Sequence, residues 1–280
     1  MTSENHPQDL SGVTETLLVT LHLRAMESQR PDALLKDEKA VALIKKINAD
    51  GLYDFSRIKS LHLSEANKLV IILRNREFDR YARDFLARHP DAVVVHIGCG
   101  LDTRFERVDN GQIEWYDLDL PHVIELRRKL VGGEGERYHL LGYSVLDNAW
   151  LDTVSAHGQR PFLFLAEGVF MYFEEAQVKS LVLTLRDRFP GAELVFDSYS
   201  PLHIWRSNLQ TARFGFRTHW GIWHGQEIEG WGNGIHLLDE WGYFDCPDSR
   251  LNPIRWLRPI EGLARTFRIY HFQLGKEKLP

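Results

Sequence analysis

Residues 93–104 read VVVHIGCGLDTR, and DLDLP follows at 117–121; the fold class turns on this pair of segments. Val93–Ile97 is a continuous apolar run, the mark of a strand buried on both faces. Gly98 and Gly100 then let the chain turn sharply and bring backbone close to a ligand, because neither carries a Cβ. Asp119 arrives twenty-one positions after Gly98, at the end of the next strand candidate. From there a carboxylate accepts hydrogen bonds from both hydroxyls of a ribose. Capping the helix begun by Pro121 is its other reading, and Asp117 is an alternative acceptor. Strand, glycine turn and acid, in that order, outline a nucleotide-binding unit.

Working outward, further strands are expected at 113–118, 137–144, 162–166 and 192–197, with helices at 121–131 and 175–189 between them. In the second helix Val178, Leu181, Val182, Leu185 and Phe189 form one stripe. Strands alternating with helices give an α/β fold with a mostly parallel, doubly covered sheet. Upstream, residues 12–90 read as helical. A first helix carries Leu17, Leu18, Leu21 and His22, and a second, after Pro31-Asp32, carries Leu34, Leu35, Val41, Ala42 and Ile44. A third shows Phe78, Tyr81, Ala82, Phe85 and Leu86 at helical spacing and stops at His89-Pro90. Residues 200–260 break the rhythm: Trp205, Trp220, Trp223, Trp231 and Trp241 fall here, with Trp256 close behind. Two readings stand, a packed aromatic insertion or a cap walling an apolar substrate pocket. RTFRIYHFQL at 265–274 reads as a final strand.

The bulk properties exclude several classes. A formal charge of −5 argues against an extended phosphate footprint, hence against nucleic acid as a partner. The longest apolar stretch, FLFLAEGVFMYF at 162–173, carries Glu167 and falls short of the roughly 18 residues that a bilayer span needs. MTSENHPQDL, at the start, has no basic flank leading into an apolar segment, so no secretory signal is expected. Cys99 and Cys246 are far apart and form no CxxC pair, which disfavours a disulfide scaffold or a structural zinc site and fits a reducing, cytoplasmic setting. Oligomeric state leaves no mark in the sequence.

The glycine loop itself selects among nucleotides. A dinucleotide fingerprint places a third glycine or alanine three residues after Gly100, where this chain has Thr103 preceded by Asp102. An acid at the place of a phosphate disfavours a nicotinamide-dependent oxidoreductase and suits a ligand end that is cationic or a hydrogen-bond donor. Glu167 interrupts the fourth strand at its carboxyl end, where α/β sheets face their ligands. A structural Glu paired with an Arg is the alternative reading.

GCGLDTRFER, then WYDLDLP with Lys129 after it, then LAEGVFMYF, resemble the leucine carboxyl methyltransferase family, and the SVLDNAW segment at 144–150 looks closest to its bacterial tetracenomycin polyketide O-methyltransferase branch. DALLKDEKAVAL at 32–43 and LRNREFDRYARDFL at 73–86 resemble two N-terminal motifs of the same family, so the likeness spans roughly residues 30–200. The resemblance implies a class I S-adenosylmethionine-dependent methyltransferase fold: a Rossmann-like sheet with an N-terminal helical cap and an insertion before the last strands. The expected division is a helical cap at 1–90, a cofactor-binding core at 91–199, a substrate-lid insertion at 200–260 and a final core strand at 261–280. The resemblance further implies Lys36 and Arg74 at the methionine carboxylate of S-adenosyl-L-methionine, with Arg76 the alternative to Arg74. It sets Gly98 and Gly100 under the cofactor, Asp102 and Arg104 as loop braces, Asp119 on the ribose and Glu167 at the methionyl amino group. Ser144-Val145 falls at the adenine edge, where phosphatase-directed members have Asp-Leu.

The implied activity is O-methylation of a carboxylate or hydroxyl on a small aromatic or polyketide-like metabolite. A protein C-terminal carboxylate is a second substrate class, which Ser144-Val145 argues against. A cofactor-binding sensor or scaffold without turnover is the non-enzymatic reading. A carboxylate, with a pKa of about 4, is ionised at pH 7 and needs no general base, whereas a hydroxyl does. No catalytic residue is assigned. His203, His219 and His224 lie in the insertion as candidate bases, Tyr172 and Tyr199 sit where they would line an acceptor site, and no metal arrangement is expected.

Overall fold

The computed structural model describes residues 12–55, 64–211 and 217–275. Seven strands form one sheet: β1 (Val93–Ile97), β2 (Glu114–Asp119), β3 (Tyr138–Gly142), β4 (Phe162–Ala166), β5 (Glu193–Tyr199), β6 (Ile235–Gly242) and β7 (Phe267–Leu274). Their order is β3-β2-β1-β4-β5-β7-β6. The first five pair in parallel, and β7 runs antiparallel to both its neighbours. The chain reverses its direction of strand addition between β1 and β4, and the carboxyl ends of those strands are where α/β sheets bind ligands.

Among the described residues, eight helices of five or more residues accompany the sheet: α1 (Gly12–Ser28), α2 (Glu38–Ala49), α3 (Glu65–Arg88), α4 (Arg104–Val108), α5 (Pro121–Leu130), α6 (Ala149–Ser155), α7 (Glu175–Arg188) and α8 (Pro201–Thr211). β1 is buried along its whole length because both its faces are covered. Val93, Val95 and Ile97 enter a core with Phe164, Phe196 and α7, while Val94 enters another with Leu163, Val195 and the Phe78–Phe85 face of α3. Each such side chain contributes roughly 1.5–3 kcal/mol on burial, an upper figure because unfolded chains already bury part of this surface.

Two expectations need correcting. The second helix does not include Leu34 and Leu35; it begins at Glu38, because Asp37 caps it by accepting from the Ala40 amide at 2.9 Å. Nor is 200–260 a separate insertion, since β6 lies inside it and pairs with β7 as an edge strand of the core sheet. A register shift between Leu237 and Asp239 moves the side-chain alternation by one position, which erases the period-2 signal from the sequence. Trp220 is buried against Phe196 and Trp231, so this part of the region extends the core. Trp205 and Trp256 are exposed. No helix among the described residues is long and apolar enough to cross a membrane.

Candidate active site

A cavity of about 330 Å³ opens above the carboxyl ends of β1, β4 and β5. The glycine loop forms its floor. Gly98 (φ +66°) and Gly100 (φ +50°) both adopt left-handed backbone, which other residues rarely take. A Cβ on Gly98 would also collide with Val169, and one on Gly100 would stand 2.6 Å from Leu17 Cδ2. Thr16, Leu17, Thr20 and Arg24 of α1 line the cavity as well, with Leu17 set against the glycine loop.

Beneath the loop runs a chain of alternating buried charges. Arg24 bonds Asp37 at 3.0 Å and lies 3.8 Å from Asp102. Arg107 links Asp37, Asp102 and Asp79 at 2.7–2.9 Å. Arg104, fully buried, joins Asp79, Asp102 and Glu167 at 2.5–3.0 Å. Arg74 continues from Glu167 (2.8 Å) to Asp197 (3.4 Å). Burial works against ionising Asp102, yet Arg104, Arg107 and Arg24 hold its carboxyl well below the usual range. Asp197 goes the other way: burial outweighs Arg74 and the Gly168 amide, and its pKa is pushed up to about 6. Five carboxylates thus face four buried guanidiniums, leaving one negative charge over at neutral pH. Arg83 also touches Asp79, at 3.5 Å, but from a side chain half in solvent, where screening weakens it.

Not every residue expected at the site lies there. Arg74, Gly98, Gly100, Asp102, Glu167, Tyr172 and Tyr199 all line the cavity. Arg76 turns away to Glu77 and the Cys246 sulfur, so Arg74 alone of that pair faces the ligand side. Lys36 does not reach the cavity, because its ammonium donates to the Ser28 carbonyl at 2.8 Å and closes the C-terminus of α1. Asp102 lines the cavity with both oxygens already engaged by arginines, as a brace for the loop. Glu167 likewise accepts from Arg74, Asn75 and Arg104.

Asp119, Ser144 and Val145 are not among the residues that line the cavity; Asp119 ends β2, and Ser144 and Val145 follow the end of β3. Asp119 accepts from the Gly100 amide at 2.8 Å and the Leu120 amide at 2.7 Å, one on each oxygen, and so keeps a lone pair on each for a ligand's hydroxyls. Burial pushes its carboxyl up, and those two amides oppose the shift. Ser144 and Val145 begin two residues past Gly142, the register partner of Asp119. The Ser144 hydroxyl there accepts from the Leu146 amide. His219 pairs with Glu174 at 2.7 Å, and neither it nor His224 lines the cavity. None of the tryptophans does either; residues 200–218 contribute His203, Ile204, Ser207 and Thr218 instead.

Several members of the site were not read from the sequence. Arg24 sits on the buried stripe of α1 with Leu18 and Leu21, and a charge on an apolar stripe was the available signal. His96 lines the cavity from β1; Arg104 donates to its Nε2 at 3.0 Å, so the ring proton is on Nδ1, 3.4 Å from Asp117. Arg127 reaches the Gly100 carbonyl at 3.0 Å and pairs with Asp117, fixing the loop from behind. Cys99 also faces the cavity, but burial pushes its thiol well up and keeps it protonated.

These residues suit S-adenosylmethionine. Asp119 offers free acceptor capacity for a ribose, and among the described residues Nη2 of Arg74 makes no hydrogen bond and is available to a carboxylate. The surplus negative charge complements a ligand carrying a sulfonium and an ammonium against one carboxylate. Among the described residues no group of His, Cys, Asp and Glu is arranged to hold a metal.

The sequence profile of the family described as leucine carboxyl methyltransferase matches residues 17–186. The chain is 36% identical to the tetracenomycin polyketide synthesis O-methyltransferase TcmP of Streptomyces glaucescens, over 85% of this chain and 86% of that protein. It is 33% identical to an S-adenosyl-L-methionine-dependent methyltransferase of Gibberella zeae, over 68% and 67% of the two chains. A DUF574 family protein from Streptomyces avermitilis shares the fold with a TM-score of 0.57 at 13% identity, covering 92% of this chain and 97% of that one. The magnesium protoporphyrin IX methyltransferase of Synechocystis, solved with S-adenosylhomocysteine bound, aligns with a TM-score of 0.50 at 11% identity, covering 85% and 100%.

Proposed function

The chain belongs to the leucine carboxyl methyltransferase family, and from that premise we propose that it is an S-adenosylmethionine-dependent O-methyltransferase acting on a small aromatic, polyketide-like metabolite. The observation that carries the reading is the charge imbalance under the glycine loop. Four buried guanidiniums against five carboxylates favour a donor with one net positive charge. Asp119 takes the ribose, Arg74 the methionine carboxylate, and Glu167 keeps Arg74 and Arg104 in place. S-adenosylmethionine supplies the transferable methyl group.

The protein's own task is positioning. Transfer needs the acceptor oxygen held opposite the departing sulfur, an arrangement worth several kcal/mol when fixed in advance. A sulfonium and a nucleophile lose charge as they react, so a roofed cavity that thins out water helps the step. A small-molecule acceptor is supported by the likeness to TcmP and by the neutral lining of Tyr172, Tyr199, Ser207 and Thr218 beside the donor site. A cytoplasmic setting accords with Cys99 and Cys246 both being free thiols.

Calorimetric titration of S-adenosylhomocysteine into wild type and Asp119→Ala tests the reading. Micromolar binding that weakens at least tenfold in the variant is expected, with NAD giving no heat. Absence of S-adenosylhomocysteine binding by wild type overturns it.

A further inference from the structure

Thr218, at the acceptor side of the cavity, gives all three of its polar groups to one side chain. Its amide donates to Oδ1 of Asn208 at 3.0 Å, its hydroxyl donates to the same oxygen at 3.1 Å, and its carbonyl accepts from Nδ2 at 2.7 Å. Asn208 stands one turn beyond Ile204 on α8 and next to Ser207, both of which line the cavity. A side-chain amide thus pairs with the backbone ten positions on, much as one strand residue pairs with another.

The segment that follows is held differently. His219 and Trp220 donate from their amides to the Met171 carbonyl at 2.7 and 3.4 Å, and Ile222 donates to the Tyr199 carbonyl at 3.1 Å. Gly221 packs so closely there that a Cβ would collide with the Tyr199 carbonyl. Met171 and Tyr199 line the cavity themselves, so backbone alone fixes residues 219–222 to its wall. Among the described residues, the hydrogen bonds that tie Thr218 to α8 all end on Asn208. Releasing that end frees one edge of the acceptor wall and leaves the donor floor of Gly98, Gly100 and Arg74 as it was.

Resting on the methyltransferase reading above, we propose that Asn208 is the positioning residue that makes a rigid acceptor wall of Ser207 and Thr218, and so selects flat acceptors by the extent of their fused rings. Asn208 is not among the residues that line the cavity, so it acts through Thr218. A wall fixed before binding spares the acceptor the cost of ordering it. It also discriminates by shape, because it cannot yield to a ring system that fits badly. The wall reads the ring skeleton, whichever oxygen on it, carboxylate or hydroxyl, takes the methyl group.

The test uses arene carboxylic acids and hydroxyarenes of two to four fused rings, read by transfer of labelled methyl. Asn208→Ala should raise the acceptor KM about tenfold or more, with kcat within about threefold of wild type. S-adenosylhomocysteine should bind as in wild type. The ratio of kcat/KM between the best and the worst ring number should shrink about threefold or more towards unity. Asn208→Asp, which keeps the oxygen that takes both Thr218 hydrogens, should fall between the two. Hydrogen exchange at the Thr218 amide should quicken in Asn208→Ala, while the amides of β1 and β4 exchange as in wild type. A role confined to stability would lower kcat with the folded fraction and leave the ring preference as it was. That result overturns the assignment, as does an acceptor KM unmoved in Asn208→Ala. Wild type that binds S-adenosylhomocysteine but methylates no member of the set overturns it too, because no arene then meets the wall. Wild type that binds no S-adenosylhomocysteine overturns the methyltransferase reading instead, so the two failures are separable.

Discussion

Leu17 Cδ2 lies 2.6 Å from the point where a Cβ on Gly100 would stand, so the roof helix rests directly on the glycine loop. Gly100→Ala should therefore act twice. Left-handed backbone costs an L-residue about 1–2 kcal/mol, and the new methyl pushes α1 away from the cavity. Titration should show S-adenosylhomocysteine binding weakened at least tenfold. Adding Leu17→Ala should recover the part due to the collision and leave the backbone cost. A Gly100→Ala variant that binds normally would remove this contact from any account of the site.

Asp197 titrates at about 6, and above that pH it contributes the surplus negative charge beneath the donor site. A cationic donor stabilises the ionised form, so its affinity should fall as Asp197 takes up a proton. Between pH 7 and pH 5 the Kd of S-adenosylmethionine should rise by up to about tenfold, one pKa unit of coupling. Asp197→Asn should bind weakly at pH 7 and respond little over the same range. Isothermal titration at several pH values checks both.

At the opposite end of β5, Glu193 accepts from Arg88 at 2.8 Å through both oxygens and sits 2.7 Å from His271. Burial opposes its ionisation, but His271 and Arg88 win and pull its pKa down to about 2. Because the folded value lies below the unfolded one, the pair stabilises the protein above pH 4.5 and loses that contribution as pH falls from there towards about 2. Glu193→Gln should cost about 1–3 kcal/mol at pH 7 in urea unfolding, the range for hydrogen bonds to charged groups. The gap from wild type should narrow below pH 4.5.

Trp220 packs into the main core against Phe196 and Trp231 and does not line the cavity. Trp220→Ala should lower stability by roughly 3–5 kcal/mol, read as a drop in thermal midpoint. Any loss of activity should track the unfolded fraction. An increase in acceptor KM with unchanged stability would return this residue to the acceptor wall.

The sheet was legible wherever burial on both faces leaves an apolar run: Val93–Ile97 and Phe162–Ala166 have the same limits in sequence and structure. β6 was not, because its bulge splits the alternation that a reader looks for. At the site, short-range patterns were enough to single out Gly98 and Gly100, which line the cavity, and Asp119, which accepts from the Gly100 amide. Arg74 was placed by resemblance, and Glu167 also by its place at the end of the fourth strand, where pairing with an arginine was the alternative; the structure brings the two together across 93 positions. The Arg24–Asp37–Arg107–Asp79 links were illegible. Each joins elements distant in the chain, and a buried arginine looks like a surface one until its partners are known. Lys36 illustrates the converse, a basic residue in a matching motif whose nearest acceptor is a helix-end carbonyl.

Arg24 holds the Leu101 carbonyl at 2.8 Å across 77 positions of chain. During synthesis at about 5–20 residues per second, α1 therefore waits roughly 4–15 s for the loop it must clasp. Until then its buried stripe of Leu18, Leu21 and Ala25 has Leu43 and Ile47 of α2 to pack with, but not Leu101 of the loop. The oldest of these segments on the ribosome thus closes its clasp on the glycine loop only after β1 has emerged.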